Sequence, residues 1–336
     1  MVAIPVHPID LTPFREGGPD DKAEVARQID DACRDTGFLL LSGHGIPAET
    51  ADAVLDTCQA FFDLPLEEKR RYKVADPAAN RGFTEMGEEA LAYSRGEPAE
   101  ESPPDLFEAF TMGRSPTSDP YYDVHRRDFA PNVWPERPAG LREAARAYER
   151  AARGTADIVL RAMALALDLE ESWFIDRTRR SIVTTRALDY RRAPGQPDPA
   201  PGQMRLGAHT DFGIMTLLLA DDVPGLQVCR DGEWFDVSIP PGTLVCNIGD
   251  MLERWTNDRW RSTLHRVVPP PREVSGPVRR RSLARFLDGE PDRVVECIPS
   301  CCGPDNPPRY PPVVGGEWLL AKVLSGRERK PAALPG

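Results

Sequence analysis

Apolar residues recur with a helical period in several segments of the first half of the chain. In the segment DDKAEVARQIDDACRD, Val25, Ile29 and Cys33 share one helical face, and the FLLLSG that follows predicts a buried strand. Residues 48–70 show a second helical pattern, and residues 138–168 show a long one. A continuous apolar stripe runs along this long helix, which is typical of a helix that forms the spine of a core.

The hydrophobic pattern changes after residue 180, where short β-type runs alternate with turn sequences. Several short strands at this spacing predict a sandwich or barrel. We interpret them as a double-sheet jelly roll with the N-terminal helices packed on its outside. The predicted fold class is therefore mainly β with flanking helices (α+β), built on a distorted, cupin-like double-stranded β-helix. Residues 75–120 are rich in Gly, Pro and Glu and are predicted to be irregular, as functional segments often are.

Composition restricts the partners and the compartment. The 336 residues carry 42 Lys and Arg against 53 Asp and Glu, and this formal charge of −11 disfavours nucleic acid and anionic membranes as partners. No apolar run approaches the roughly 20 residues that a membrane span needs. Seven cysteines without a CxxC spacing, and a start without a signal-peptide pattern, predict free thiols and a cytoplasmic protein.

The segment AHTDFG places an imidazole and a carboxylate two positions apart in an apolar, strand-like run. Alternate residues of a strand face the same side, so His209 and Asp211 are predicted to point together. His265, in STLHRVV, is the candidate third ligand from another strand. Two histidines and one carboxylate suit non-haem Fe(II). Zinc accepts the same ligands with an added water, so spacing leaves both metals open. The other histidines are predicted to be structural or solvent-facing: His7, His44 and His125.

A second polar group lies in the run RRRSLARFL. Strand alternation places Arg280, Ser282, Ala284 and Phe286 on one face. A guanidinium fork and a hydroxyl two residues apart make a clamp for a carboxylate. Tyr190, at the end of SIVTTRALDY, is a candidate phenol donor to the same ligand. Three consecutive arginines are also compatible with a solvated edge strand, and the residues alone leave this alternative open.

These motifs together resemble the Fe(II)/2-oxoglutarate-dependent oxygenases of the isopenicillin-N-synthase-like group. The family pattern is His-x-Asp, a distant His and then Arg-x-Ser, which His209, Asp211, His265, Arg280 and Ser282 match. The N-terminal PIDL and DDACRDTGFLLLSGHGIP and the C-terminal GPDNPPRYPPVVGGEWLLAKVL are also similar to the family. The resemblance therefore covers nearly the whole chain.

The resemblance implies Fe(II) as the metal, held by the His-x-Asp pair and the distant His inside one end of the barrel. It implies 2-oxoglutarate as co-substrate, with its distal carboxylate on Arg280 and Ser282 and with Tyr190 at the family's tyrosine position. It also implies O₂ as the oxidant. The implied reaction is oxidation of an unactivated C–H bond of a small molecule. Hydroxylation is the main expectation, and desaturation or cyclisation are the alternatives.

The same resemblance predicts how the chain is organised. Residues 1–336 are expected to form one catalytic unit, and its oligomeric state is not predicted. Its parts are a helix/strand region with substrate loops over 1–120, a spine helix over 138–168, the jelly-roll core with the metal site over 180–290, and a C-terminal helix and tail over 291–336.

Substrate residues are nominated from the segments that contact substrate in relatives. Arg186, on the same predicted face as Tyr190, would hold an acidic group or else pair with a core carboxylate. Phe107, Phe110 and Phe286 would line an apolar pocket or else belong to the core. The high content of Ala, Arg, Pro and Gly indicates a high-GC bacterial source, where such enzymes often act in secondary metabolism.

Three other activities are compatible with the same motifs. One is an Fe(II)/O₂ oxidase or oxidative cyclase of the same fold that does not use 2-oxoglutarate. Another is formation of ethylene from 2-oxoglutarate itself. The third is a non-enzymatic jelly-roll binding protein with a zinc-filled or degenerate site. Dependence of turnover on 2-oxoglutarate, gas analysis, and zinc content without O₂ consumption would distinguish them.

Overall fold

The computed structural model describes residues 8–91, 103–191, 199–200, 202–270 and 279–325, and these residues form fourteen strands. Chain order assigns them as β1 Pro8–Asp10, β2 Phe38–Ser42, β3 Gly82–Thr84, β4 Glu108–Gly113, β5 Ile182–Asp189, β6 Leu206–His209, β7 Met215–Ala220, β8 Leu226–Arg230, β9 Glu233–Asp236, β10 Leu244–Ile248, β11 His265–Val267, β12 Arg281–Gly289, β13 Val294–Val295 and β14 Val313–Val314.

Two sheets face each other and form the jelly roll. The large sheet has the order β1-β2-β10-β7-β12-β5-β4-β3, and the small sheet has the order β6-β11-β8-β9. An apolar cluster between them joins Phe38, Leu40 and Val245 of the large sheet to Leu226 and Val228 of β8. The predicted jelly-roll core with flanking helices is confirmed. The strands β13 and β14 pair separately as a short ladder.

The described residues form nine α-helices, of which the longest pack on the outer face of the large sheet. They are α1 Thr12–Glu16, α2 Pro19–Asp35, α3 Ala48–Phe62, α4 Leu66–Arg70, α5 Pro120–Val124, α6 Leu141–Ala166, α7 Ile175–Thr178, α8 Asp250–Trp255 and α9 Gly315–Ser325. The long helix α6 buries an apolar stripe that includes Tyr148, Leu160 and Met163 against this sheet and its neighbouring helices. In the part of the chain that is described, no helix combines the length and apolar composition needed to cross a bilayer.

The strand β12 runs through the middle of the large sheet, between β5 and β7. Its alternation separates two environments. Leu283 and Leu287 belong to the core under the helices, while Ala284 and Phe286 pack between the sheets. The face that contains Arg280, Ser282, Ala284 and Phe286 therefore points into the jelly roll, as the sequence predicts.

Two local predictions are wrong. The helical pattern over 48–70 is interrupted, because Pro65 disfavours helical backbone at the preceding residue and the chain divides into α3 and α4. The segment 75–120 is not irregular throughout, because β3 and β4 extend the large sheet there. The sequence EAFTMG of β4 is buried at every position except its last, so it lacks the apolar–polar alternation that identifies a half-exposed strand.

Candidate metal centre and adjoining cavity

His209, Asp211 and His265, named here the metal triad, converge inside the jelly roll. One candidate ligand atom from each lies within 4.8 Å of the other two. The Oδ1 atom of Asp211 is 3.7 Å from Nε2 of His209 and 3.8 Å from Nε2 of His265. All three residues are buried. The predicted juxtaposition is therefore present, although Asp211 follows the end of β6 instead of continuing the strand.

A bulge in the small sheet brings the two histidines together. His265 pairs with His209, but Val267 pairs with Leu206. The chain therefore advances three residues in β6 over the stretch in which it advances two in β11. The extra residue lets both Leu206 and His209 face the interior. The imidazole rings are consequently 4.3 Å apart, measured between centroids.

Hydrogen bonds orient all three side chains of the metal triad. The Nδ1 atoms of His209 and His265 lie 2.8 Å and 3.1 Å from the carbonyl oxygens of Gly207 and Thr263. A carbonyl can only accept, so Nδ1 carries the proton in each ring and Nε2 keeps a free lone pair.

The carboxylate of Asp211 is held on one side only. Its Oδ2 atom accepts hydrogen bonds from the hydroxyl of Thr216 at 2.5 Å and from the side-chain amide of Asn247 at 2.6 Å. Oδ1 remains directed at the two histidines. The arrangement suits a carboxylate that binds a metal through one oxygen.

The electrostatics favour the protonation states that a metal requires. Burial and the neighbouring His265 lower the pKa of His209 to about 4, so this imidazole is neutral at pH 7. Burial raises the pKa of Asp211, but the two histidines and the hydrogen bonds from Thr216 and Asn247 outweigh it, and the net shift is downward. Neutral imidazole and ionised carboxylate are the forms that bind metal.

Arg280 lies between two arginines that have partners. Arg279 binds both carboxylate oxygens of Asp189 at 2.8 Å, and Arg281 binds Asp56 at 2.9 Å. Arg280 itself is 1% exposed, and none of its three guanidinium nitrogens has a hydrogen-bond partner among the described residues. The alternative of a solvated arginine cluster therefore does not hold for Arg280. A buried guanidinium without a partner is costly, so an anionic ligand fits this position.

Polar groups beside Arg280 complete a pocket for an anion. The guanidinium lies 5.2 Å from the ring centroid of Tyr190, and the buried hydroxyl of Ser282 follows on the same face of the strand. Burial raises the pKa of Tyr190, so the phenol stays a hydrogen-bond donor. Arg205, which the sequence interpretation missed, is buried nearby and adds a second positive charge; burial and Arg280 lower its pKa to about 10.

A cavity of about 110 Å³ adjoins the metal triad, and Arg280 is not among the described residues that line it. Arg186 and Phe286 line it, together with Glu89 from the segment after β3 and with Leu319 from α9. Arg186 donates to Oε2 of Glu89 at 2.7 Å, so the predicted alternative of a pairing with a carboxylate is what the structure contains. Both members of this pair face the cavity.

Asp105 connects the Glu89 segment to the metal triad. Its Oδ2 atom accepts from the backbone N–H of Leu91 and its Oδ1 atom from that of Gly207. Gly207 is the residue whose carbonyl orients His209. Burial raises the pKa of Asp105 to about 7. A chain of three hydrogen bonds therefore connects the segment that carries Glu89 to His209.

The two phenylalanines nominated from the segment DLFEAF have different surroundings. Phe107 lies between the sheets with Tyr190, and its ring is 5.1 Å from the guanidinium carbon of Arg186. Phe110 is three positions along the strand and so faces the helices, where its ring centroid is 4.6 Å from that of Phe61. Phe110 therefore belongs to the core, which is the second of the two alternatives predicted for it.

Several residues at the site were not found from the sequence. Thr216 and Asn247 carry no local pattern that distinguishes them. Asp288 is different, because it continues the inward alternation of β12 by one more step beyond Phe286, and it lines the cavity. Of the other histidines, His44 makes hydrogen bonds to the loop backbone, His125 lies near two aspartates, and His7 is outside the described residues.

Two histidines and one carboxylate that converge inside a jelly roll, beside a buried arginine for which the described residues offer no partner, are typical of the class of non-haem metal oxygenases. Comparison with known families agrees. The 2OG-Fe(II) oxygenase superfamily matches residues 184–289, and the N-terminal region of a non-haem dioxygenase in morphine synthesis matches residues 4–137. The chain belongs to the Fe(II)/2-oxoglutarate-dependent dioxygenases, as the resemblance predicts, with Fe(II) as metal and 2-oxoglutarate as co-substrate.

Individual relatives cover almost the whole chain. A 2-oxoglutarate-Fe(II) type oxidoreductase, hxnY of Emericella nidulans, is 37% identical over 91% of this chain and 85% of its own length. A homoarginine-6-hydroxylase of Oryza sativa is 33% identical over 91% of this chain and 90% of its own length. The crystal structure of Neurospora crassa T7H with alpha-KG and thymine aligns with a TM-score of 0.83 at 28% identity, covering 95% and 96% of the two chains.

Proposed function

We propose that the metal triad holds Fe(II) and that Arg280, Ser282 and Tyr190 hold the distal carboxylate of 2-oxoglutarate. The observation that carries this assignment is the buried guanidinium of Arg280, which has no hydrogen-bond partner among the described residues although both neighbouring arginines have one. A dianionic co-substrate that binds the metal at one end and Arg280 at the other supplies a negative charge to pair with the guanidinium. The fit of the donor set to Fe(II) is the second support.

The proposed reaction is hydroxylation of an unactivated C–H bond of a small molecule. When bound, Fe(II), 2-oxoglutarate and O₂ supply an oxidant strong enough for such a bond. The protein orients the ligands: Thr216 and Asn247 fix the carboxylate of Asp211, and Arg280 fixes the co-substrate. Desaturation and cyclisation are the alternatives, and product analysis distinguishes them because only hydroxylation adds an oxygen atom to the substrate.

The cavity beside the metal triad is the proposed substrate site. Arg186 and Phe286 line it directly, and the ring of Phe107 packs against the guanidinium of Arg186. Its volume of about 110 Å³ is below the roughly 300–1,000 Å³ of pockets for drug-sized ligands, which favours a compact group at the metal. Relatives act on or bind molecules as different as homoarginine and thymine, so the substrate must be argued from this chain's own residues. Bacterial secondary metabolism is the proposed setting.

An anaerobic titration tests the assignment. Fe(II) and then 2-oxoglutarate are added to metal-free protein without oxygen, and the weak visible charge-transfer band of chelated 2-oxoglutarate is recorded. We expect the band in the wild type and in Asp305→Ala, an exposed carboxylate used as control, but not in Asp211→Ala. Iron binding without a band at any 2-oxoglutarate concentration would contradict the proposal and favour the oxidase that takes its electrons from substrate alone.

A further inference from the structure

Asp288 is a buried carboxylate without a partner. Its exposed fraction is 7%, and no described residue makes a hydrogen bond or ion pair with it. The nearest cation along the strand, Arg285, points to the opposite face. There its Nε and Nη2 atoms each donate a hydrogen bond to the carboxylate of Glu149 at 2.9 Å. A carboxylate buried in this way is costly unless something binds it.

The open side of Asp288 is the cavity at the metal triad. Asp288 lines that cavity together with Arg186 and Glu89. Among the described residues that line it, Arg186 is the only cation, and its charge is already paired with Glu89 at 2.7 Å. The cavity therefore presents one carboxylate, Asp288, that forms no hydrogen bond or ion pair with a described side chain.

A metal does not account for Asp288. Among the described residues, the group of imidazoles and carboxylates close enough to share one ion comprises His209, Asp211 and His265, without Asp288. A counter-charge for Asp288 can therefore come from another occupant of the cavity, and the substrate is the occupant expected beside the metal.

We propose that Asp288 binds a cationic nitrogen of the substrate, an ammonium, amidinium or guanidinium group, and so selects basic small molecules. This inference rests on the proposed function, because it places the substrate in the cavity beside the metal triad. Arg186 remains able to meet an acceptor elsewhere on the same molecule, since its buried Nε has no hydrogen-bond partner among the described residues.

Matched pairs of ligands that differ only in charge test the proposal. The full-length protein is loaded with Fe(II) and 2-oxoglutarate without oxygen, so that no turnover occurs. Isothermal titration calorimetry then compares n-butylguanidinium with n-butylurea, and n-butylammonium with n-butanol. We expect each cation to bind about 10- to 100-fold more tightly than its neutral counterpart, the range that a charge-assisted hydrogen bond contributes.

Variants assign the preference to one residue. In Asp288→Asn the cation and its neutral counterpart should bind about equally, while the exposed control Asp305→Asn should keep the wild-type ratio. The visible band of bound 2-oxoglutarate reports whether Asp288→Asn is folded and loaded. If that variant fails to load, Asp288→Ser takes its place, because a hydroxyl keeps a polar group there without the charge.

Each outcome has one meaning. Cations that bind no better than their neutral counterparts in the wild type, or that do not bind, overturn the proposal. A preference that survives in Asp288→Asn also overturns it and transfers the role to another carboxylate such as Glu89. Failure of the wild type to form the 2-oxoglutarate band would instead contradict the proposed function, so the two failures are distinguishable.

Discussion

Arg280, immediately before β12, and Asp288, near the end of β12, face the same interior. Both are nearly completely buried, and none of the guanidinium nitrogens of Arg280 has a hydrogen-bond partner among the described residues. A strand rises about 3.3 Å per residue, so the eight steps between them span at most roughly 26 Å. The cavity at the metal triad adjoins the Asp288 end. One strand thus carries a positive group for the co-substrate at one end and a negative group at the other.

Replacing Arg280 with methionine should weaken 2-oxoglutarate binding by at least about 30-fold. The reason is that removing one member of a buried, hydrogen-bonded charge pair at a binding interface costs about 2 kcal/mol of binding free energy or more. The same change should leave the melting temperature of the ligand-free protein equal or higher, since it removes a buried cation without a partner. Calorimetry and thermal unfolding with and without 2-oxoglutarate measure both effects.

The matched control for that change is Arg281→Gln, which removes an arginine that already has partners. It should keep the wild-type affinity for 2-oxoglutarate and the wild-type gain in melting temperature on adding it. Equal losses of affinity in the two variants would mean that Arg280 acts through general charge instead of direct contact.

Thr216→Val should weaken metal binding by about 10- to 100-fold, the usual effect of removing a group that orients a metal ligand. Valine keeps the shape of threonine but cannot donate to Oδ2 of Asp211. The dissociation constant for Fe(II), measured without oxygen by competition with a chelator, tests this. Thr57→Val, which removes a hydroxyl that bonds only to its own helix, should leave the constant unchanged.

The pair Arg186–Glu89 should contribute to stability as a unit. The two side chains are 12% and 10% exposed, so a double-mutant cycle with Arg186→Gln and Glu89→Gln should give a coupling free energy of about 0.5–3 kcal/mol in urea unfolding. The same cycle on the well-exposed pair Arg27–Glu24 should give no measurable coupling. A coupling near zero for Arg186–Glu89 would indicate that the pair opens readily in solution.

Lys69 of α4 and Glu108 of β4 form a deeply buried ion pair that joins the helices to the large sheet. The lysine ammonium is 1% exposed and binds both carboxylate oxygens, at 2.6 and 2.7 Å. Glu108→Gln should lower the free energy of unfolding by about 3–5 kcal/mol, because it leaves a buried lysine without its counter-charge. The double change Lys69→Met with Glu108→Met should recover most of that loss in urea unfolding. No recovery would assign the loss to packing.

The sequence alone identified much of the site because strand alternation is a local property of the backbone. His209 and Asp211 were expected on one side and are within 3.7 Å of each other, although Asp211 lies just outside the strand. The inward face of β12 was likewise expected, and its extension to Asp288 was available from the same rule. The apolar stripe of α6 was readable for the same reason, with the helical period in place of the strand period.

The tertiary structure decided which of several equivalent residues does what. Arg279, Arg280 and Arg281 are alike in sequence, and only their contacts with residues distant along the chain leave Arg280 without a partner. Phe107 and Phe110 were both nominated, and the pairing of β4 with β5 sends one inward and the other to the helices. Contacts of this kind join segments far apart in sequence, so they depend on how sheets and helices pack and leave no periodic trace in the chain.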